Sequence, residues 1–188
     1  MFWRGVWGYL PANIVQGVVG FLAIIVFTRL LSPEDFGRYA LAFSVLTLAH
    51  VAVFSWMEAS MARFWASSKP GADLIGHFAS LYRAAGLLTL GFVPVMALVL
   101  WLWPADPLLK IALAAGLAGC PIRAFVKLAQ ERYRAAGEVS KAARLDMAVA
   151  IGGLSIGIGF ALAGAGGAAP LLGLGLAPLI ALPFILPG

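Results

Sequence analysis

Few side chains in this sequence can do chemistry, and those that can recur at helical intervals in apolar surroundings. Arg123, Lys127, Gln130 and Arg134 follow one another at steps of three and four, which on a helix sets three cations on one stripe. Fixed cations in a partly dehydrated groove hold phosphate oxygens strongly, so the stripe suits a diphosphate. The plainer alternative is a helix end whose long side chains reach into anionic lipid headgroups, and this reading is preferred for Arg132, Arg134, Lys141 and Arg144. For Arg123 and Lys127 both readings stand. Upstream, His50 and Glu58 lie deep in an apolar run that Arg63 terminates. A carboxylate inside a membrane needs a proton, a cation or a basic partner, so Glu58 reads as an ion or proton site or as half of a structural ion pair. His50, without further ligands nearby, reads as a satisfied core histidine rather than a metal ligand. Near the start, Asn13, Gln16, Gly17 and Gly20 share one helical face. That face fits a polar cavity wall, but interhelical hydrogen bonding with small-residue packing is the preferred reading, since neutral amides and glycines commonly serve packing.

Other chemistries lack their residues. There is no phosphate-binding glycine loop with its Lys and Ser/Thr, no metal-spaced His/Cys cluster and no G-x-S-x-G nucleophile. The expectation is a protein without cofactor or metal that is not an enzyme. The glycine-rich GAGGAA and IGGLSIGIG stretches read as loop and helix-packing glycines. Cys120, the single cysteine, sits in an apolar run and reads as a small packing residue.

The elements that must carry these residues follow from composition. Of 188 residues, 62% are hydrophobic and 11% charged, and the mean hydropathy is +0.97. Such a chain is built for lipid, where only helices or a closed barrel satisfy the backbone, and unbroken apolar runs without period-two alternation select helices. The class is therefore all-α integral membrane with five to six transmembrane helices, as a single helical domain over 1–188. Spans are predicted at about 7–28, 36–64, 82–103, 108–134, 143–163 and 170–187. The first is retained rather than cleaved, since no small-residue cleavage site precedes Arg29. Ser32 and Pro33 form a cap and first turn for the second helix, and Asp106 and Pro107 do so for the fourth. WLWP marks a membrane interface, and a turn falls near Gly137 and Ser140. The net charge of +5 is scattered between apolar segments, which argues against nucleic acid. With the N-terminus inside, Arg4, Arg63, Lys69, Arg83, Arg123, Lys127, Arg132, Arg134, Lys141 and Arg144 are cytoplasmic, and only Arg29, Arg38 and Lys110 lie outside. The positive-inside rule selects that orientation.

Three patches carry a family resemblance. The first apolar helix followed by FTRLLSPEDFGRYALAFSVLTL, the segment SWMEASMARF, and AFVKLAQERYRAAGEVSKAARLDMAVAIGG resemble polysaccharide exporters and O-antigen flippases of the multidrug/oligosaccharidyl-lipid/polysaccharide superfamily. The likeness covers most of 1–165 in hydropathy and topology. Arg29 corresponds to the basic residue before the SPEDFG turn, and Arg63 to the one that ends the second span. The resemblance implies a multi-pass transporter of the bacterial inner membrane that flips undecaprenyl-diphosphate-linked oligosaccharide for polysaccharide or lipopolysaccharide synthesis by alternating access of two lobes. Family members carry a second related lobe, so this chain resembles the N-terminal lobe, as a truncated product, a partial sequence or a half-transporter that dimerises. Asn13, Gln16, Glu58, Arg63, Arg123 and Lys127 are then the expected substrate-binding residues. Expected partners are the lipid-linked oligosaccharide, membrane lipids and polysaccharide-assembly proteins. The competing functions are a cation-coupled drug exporter of the same superfamily and a membrane enzyme or scaffold of envelope polysaccharide assembly.

Overall fold

Hydrocarbon offers no partners to backbone N–H and C=O groups, and the chain meets this by folding into helices joined by very short turns. The computed structural model describes residues 2–67 and 74–185. In order they form α1 (Phe2–Leu30), α2 (Pro33–Val53), α3 (Ser55–Ser67), α4 (Leu74–Leu102), α5 (Pro107–Ala135), α6 (Val139–Leu162), a 3-10 turn (Gly166–Ala168) and α7 (Ala169–Ile185). No strand occurs among the described residues. Among the described residues five helices are long and apolar enough to cross a membrane: α1, α2, α4, α5 and α6. The chain is an all-α multi-pass membrane protein.

The predicted caps form. Ser32 Oγ accepts from the Asp35 amide at 3.1 Å, and Asp106 Oδ2 accepts from the Leu109 amide at 3.1 Å, each followed by proline in the first turn. Between α5 and α6 the chain reverses at Gly137, whose φ of 77° lies where side chains are strained. Trp101 and Trp103 stand exposed at the end of α4, as an interfacial belt would place them.

Two span predictions need correction. The second, over 36–64, is two helices, because α2 ends at Val53 with Phe54 as its C-cap and α3 begins at Ser55. The sixth, over 170–187, corresponds to the 17-residue α7, which falls short of the spanning helices. Instead of facing lipid on all sides, α7 buries Ala169, Pro170, Leu171, Gly173, Gly175, Ala177 and Pro178 between α5 and α6. Lys69 and residues 186–187 lie outside the described residues.

The packing order places α5 at the hub. It touches α2, α3, α4, α6 and α7, and 50% of its apolar window lies inside the bundle against 11% for α1, α2 and α4. α1 packs chiefly on α6 and barely touches α2, although only Leu31 and Ser32 separate them. Leu46, Phe54, Met57, Met61, Leu113, Leu128 and Leu171 form the core around α5. The charged groups separate to two ends. At one, Arg38 bridges Asp35 at 2.9 Å and Asp106 at 3.0 Å, beside the 3-10 turn; at the other, Arg134 meets Asp146.

The two faces of α7 show why glycine recurs there. A Cβ on Gly119 of α5 would run into the Gly175 Cα, and one on Gly173 would run into the Gly153 carbonyl oxygen of α6. On α1, by contrast, Gly17 and Gly20 have nothing within 4 Å of a built Cβ. Gly119→Ala is therefore expected to destabilise the bundle by about 1–3 kcal/mol, the ordinary cost of overpacking. Gly17→Ala should be neutral or stabilising by up to ~1 kcal/mol through helix propensity. Thermal unfolding of the two variants in detergent checks the contrast, and equal shifts would contradict it.

Candidate functional site

The break between α2 and α3 creates the first half of the site. A helix interrupted in lipid leaves carbonyls that need donors. Here side chains supply them: Ser55 Oγ donates to the Val51 carbonyl at 2.6 Å, and Trp56 Nε1 donates to the Val53 carbonyl at 2.8 Å. Phe54 is fully buried and meets the Phe92 ring of α4 edge-on, with centroids 5.5 Å apart. Across the break, His50 Nε2 lies 2.8 Å from Glu58 Oε1, and His50 Nδ1 lies 3.8 Å from the Cys120 sulfur on α5. The neutral tautomer with the proton on Nε2 serves both contacts, donating to the carboxylate and accepting from the thiol. One turn beyond Cys120, the half-buried Arg123 lies within electrostatic reach of Glu58 and Cys120. Among the described residues no carboxylate lies within ion-pair distance of Arg123.

The second half lies one turn further along α5. Lys127 Nζ is 3.6 Å from Asp146 Oδ1, and Arg134 Nη2 donates to Asp146 Oδ2 at 2.7 Å. Arg134 also pairs with Glu131 through Nη1. Asp146, on α6, is buried, while its basic partners are about a third exposed. Gln130 is buried beside this cluster in sequence, and its Oε1 has no hydrogen-bond partner. Counting at ~1.5 Å per residue from Pro107, Arg123 stands about 24 Å along α5 and Lys127 about 30 Å. With Pro107 taken as the start of a hydrocarbon core of roughly 30 Å, these groups would fall in the last third of the crossing and the adjoining interface.

A family model described as "Polysaccharide biosynthesis protein" matches residues 26–181. The chain belongs to that family. No curated protein and no solved structure matches it. The family match begins in the last turn of α1 and runs into α7, so it contains His50, Glu58, Arg123, Lys127 and Asp146. Asn13 and Gln16 lie outside it.

Within this family member the structure gathers some of the six expected residues and separates others. Glu58, Arg123 and Lys127 converge on α5. Arg63, on α3, is exposed. Asn13 and Gln16 are exposed on α1, which packs on α6 and not on α5's cation stripe. Their glycine neighbours make no close approach within this chain, so neither tight packing nor a shared pocket with Arg123 is realised on that face. Along the stripe, Arg134 is drawn to Glu131 and Asp146, and Lys127 leans on Asp146. Sequence reasoning passed over Asp146 and left His50 as a lone core residue. The signal for Asp146 was available: it is the one acidic residue inside the predicted 143–163 span.

Asp146→Asn should lower stability by about 1–3 kcal/mol, less than the 3–5 typical of a fully buried pair because Lys127 and Arg134 can turn toward headgroups. In double-mutant cycles read by thermal unfolding, coupling of Arg134 with Asp146 is expected to exceed that of Lys127 with Asp146. Equal coupling would contradict the 2.7 Å and 3.6 Å geometries.

Proposed function

We propose that this family member acts in moving an undecaprenyl-diphosphate-linked oligosaccharide from the cytoplasmic to the outer leaflet of the bacterial inner membrane, by alternating access of its helical lobe against a second one. In this reading the N-terminus is cytoplasmic, and the protein is a transporter rather than an enzyme. The observation that supports it is Arg123: a half-buried cation on the hub helix, four residues before Lys127, without a carboxylate in ion-pair range among the described residues. A diphosphate entering from the headgroup level would meet this charge first inside the hydrocarbon boundary, with Lys127 one turn nearer the surface. Glu58, held by His50, does not neutralise Arg123 directly and leaves it available to an anion. Asn13, Gln16 and Arg63 would contact the sugar or pyrophosphate only in a conformation that brings α1 and α3 to the cavity.

The same geometry weighs against a cation-coupled drug exporter. An organic cation needs an open acidic group, and both candidates are closed: Glu58 by His50, Asp146 by Lys127 and Arg134. A lipopolysaccharide or O-antigen role is the narrower form of the proposal, and polysaccharide-assembly proteins are its natural neighbours.

Leaflet transfer of a fluorescent diphosphate-linked oligosaccharide in proteoliposomes containing the intact gene product tests the site. Arg123→Gln is expected to reduce transfer by about tenfold to a hundredfold, the loss of one charge-assisted contact in a dehydrated site. Transfer undiminished by Arg123→Gln together with Lys127→Gln would reject these residues as the anion site. Orientation is checked separately by replacing Cys120 with Ala and labelling new cysteines with a membrane-impermeant maleimide. Lys110→Cys should react in spheroplasts and Lys141→Cys only after permeabilisation; the reverse pattern would invert the topology.

A further inference from the structure

Beside the ion pairs of Asp146, but on another face of α6, lies a cavity of about 540 Å³ lined by Tyr133, Lys141, Arg144, Leu145 and Ala148. We propose that it binds a phosphate headgroup carried on an apolar chain, an anionic phospholipid of the surrounding leaflet. The volume falls in the range of small-molecule sites. Its wall is one helical face: Lys141, Arg144, Leu145 and Ala148 recur at offsets of three, four and seven. Lys141 is in the first turn of α6, Arg144 and the buried Leu145 lie together about one turn further on, and Ala148 follows one turn beyond them, so the two cations border an apolar wall that continues along the helix. Leu145 is buried against Val126, Tyr133 and Val149, which gives the apolar wall a fixed shape.

The two cations are available to an anion. Arg144 is exposed and has no ion-pair partner among the described residues. Lys141 lies 5.7 Å from the centre of the Tyr133 ring and 2.7 Å from Glu138, a pair exposed enough to exchange for a phosphate. Asp146, two residues beyond Arg144, is already compensated by Lys127 and Arg134 and does not repel the ligand. This separates Lys141 and Arg144 from Arg134: all four basic groups of the turn could reach headgroups by composition, but only these two meet at a cavity. A free phosphate would leave Leu145 and Ala148 uncovered, and a zwitterionic lipid would bring its own cation against Arg144.

The proposal stands apart from the transport reading and is tested without it. The purified chain in non-ionic detergent is titrated with phosphatidylglycerol, phosphatidylcholine or glycerol 3-phosphate, and retained ligand is read by native mass spectrometry. Phosphatidylglycerol is expected to be retained at least about tenfold more than either alternative, given roughly 1 kcal/mol for each cation near an anionic headgroup. Lys141→Gln with Arg144→Gln should remove that advantage. Ala148→Trp, which adds bulk at the apolar lining without altering charge, should also lower retention, whereas Arg83→Gln, an exposed cation on α4, should leave it unchanged. Retention of glycerol 3-phosphate equal to the lipid would make this a free-phosphate site and overturn the proposal. So would equal retention of phosphatidylcholine, or unchanged binding in both the charge and the cavity-filling variants.

Discussion

Lipid chains are as apolar as the side chains they touch, so no hydrophobic force presses one span onto the next, and association depends on how many van der Waals contacts two backbones can make. In this bundle that contact is concentrated on α7. Gly175 lies against Gly119 of α5, and Gly173 lies against Gly153 and Gly157 of α6, at separations that leave no room for a side chain. A helix too short to span is thereby wedged between two that do span, and α5 and α6 are tied through it more than through each other. Because α1 leans on α6 while α2 and α4 lean on α5, the wedge joins two groups of helices that otherwise touch little.

Charge is distributed under a related constraint. An ion in hydrocarbon is tolerated when it is paired or can reach water, and the chain uses both solutions. The carboxylate that is most withdrawn, Asp146, has two cations, each of which keeps about a third of its surface exposed. At the opposite end Arg38 joins Asp35 and Asp106, stitching the starts of α2 and α5 beside the turn that leads into α7. Arg123 follows neither pattern. It has Glu58 within electrostatic reach but no carboxylate at ion-pair distance among the described residues, which makes it the most informative side chain in the protein.

The break at Phe54 connects these two themes. It turns the chain at the level of Arg123, and its polar consequences are absorbed locally by Ser55, Trp56 and the His50–Glu58 contact. A continuous helix over the same residues would carry His50 and Glu58 on one face two turns apart, about 12 Å along the axis, too far for their 2.8 Å contact. The interruption therefore creates the pair, which holds the Glu58 carboxylate on His50 while no ion pair forms between Glu58 and Arg123.

Much of this was legible from the amino-acid order alone. Hydropathy runs determine a helical membrane protein because hydrocarbon forbids unsatisfied backbone, and local chemistry determines the caps at Ser32 and Asp106 and the reversal at Gly137. Three short motifs, with the hydropathy pattern around them, pointed toward the family matched over residues 26–181. Pairings between distant residues were not legible: His50 with Glu58 depends on a break that no proline or glycine announces, and Asp146 with Lys127 and Arg134 depends on how α6 faces α5. Nor does periodicity reveal that the glycines of α7 are used within the chain while those of α1 remain open. Sequence spacing specifies which residues share a face of one helix; only tertiary packing decides what that face meets, because in lipid many helix contacts lie close in energy and backbone fit selects among them.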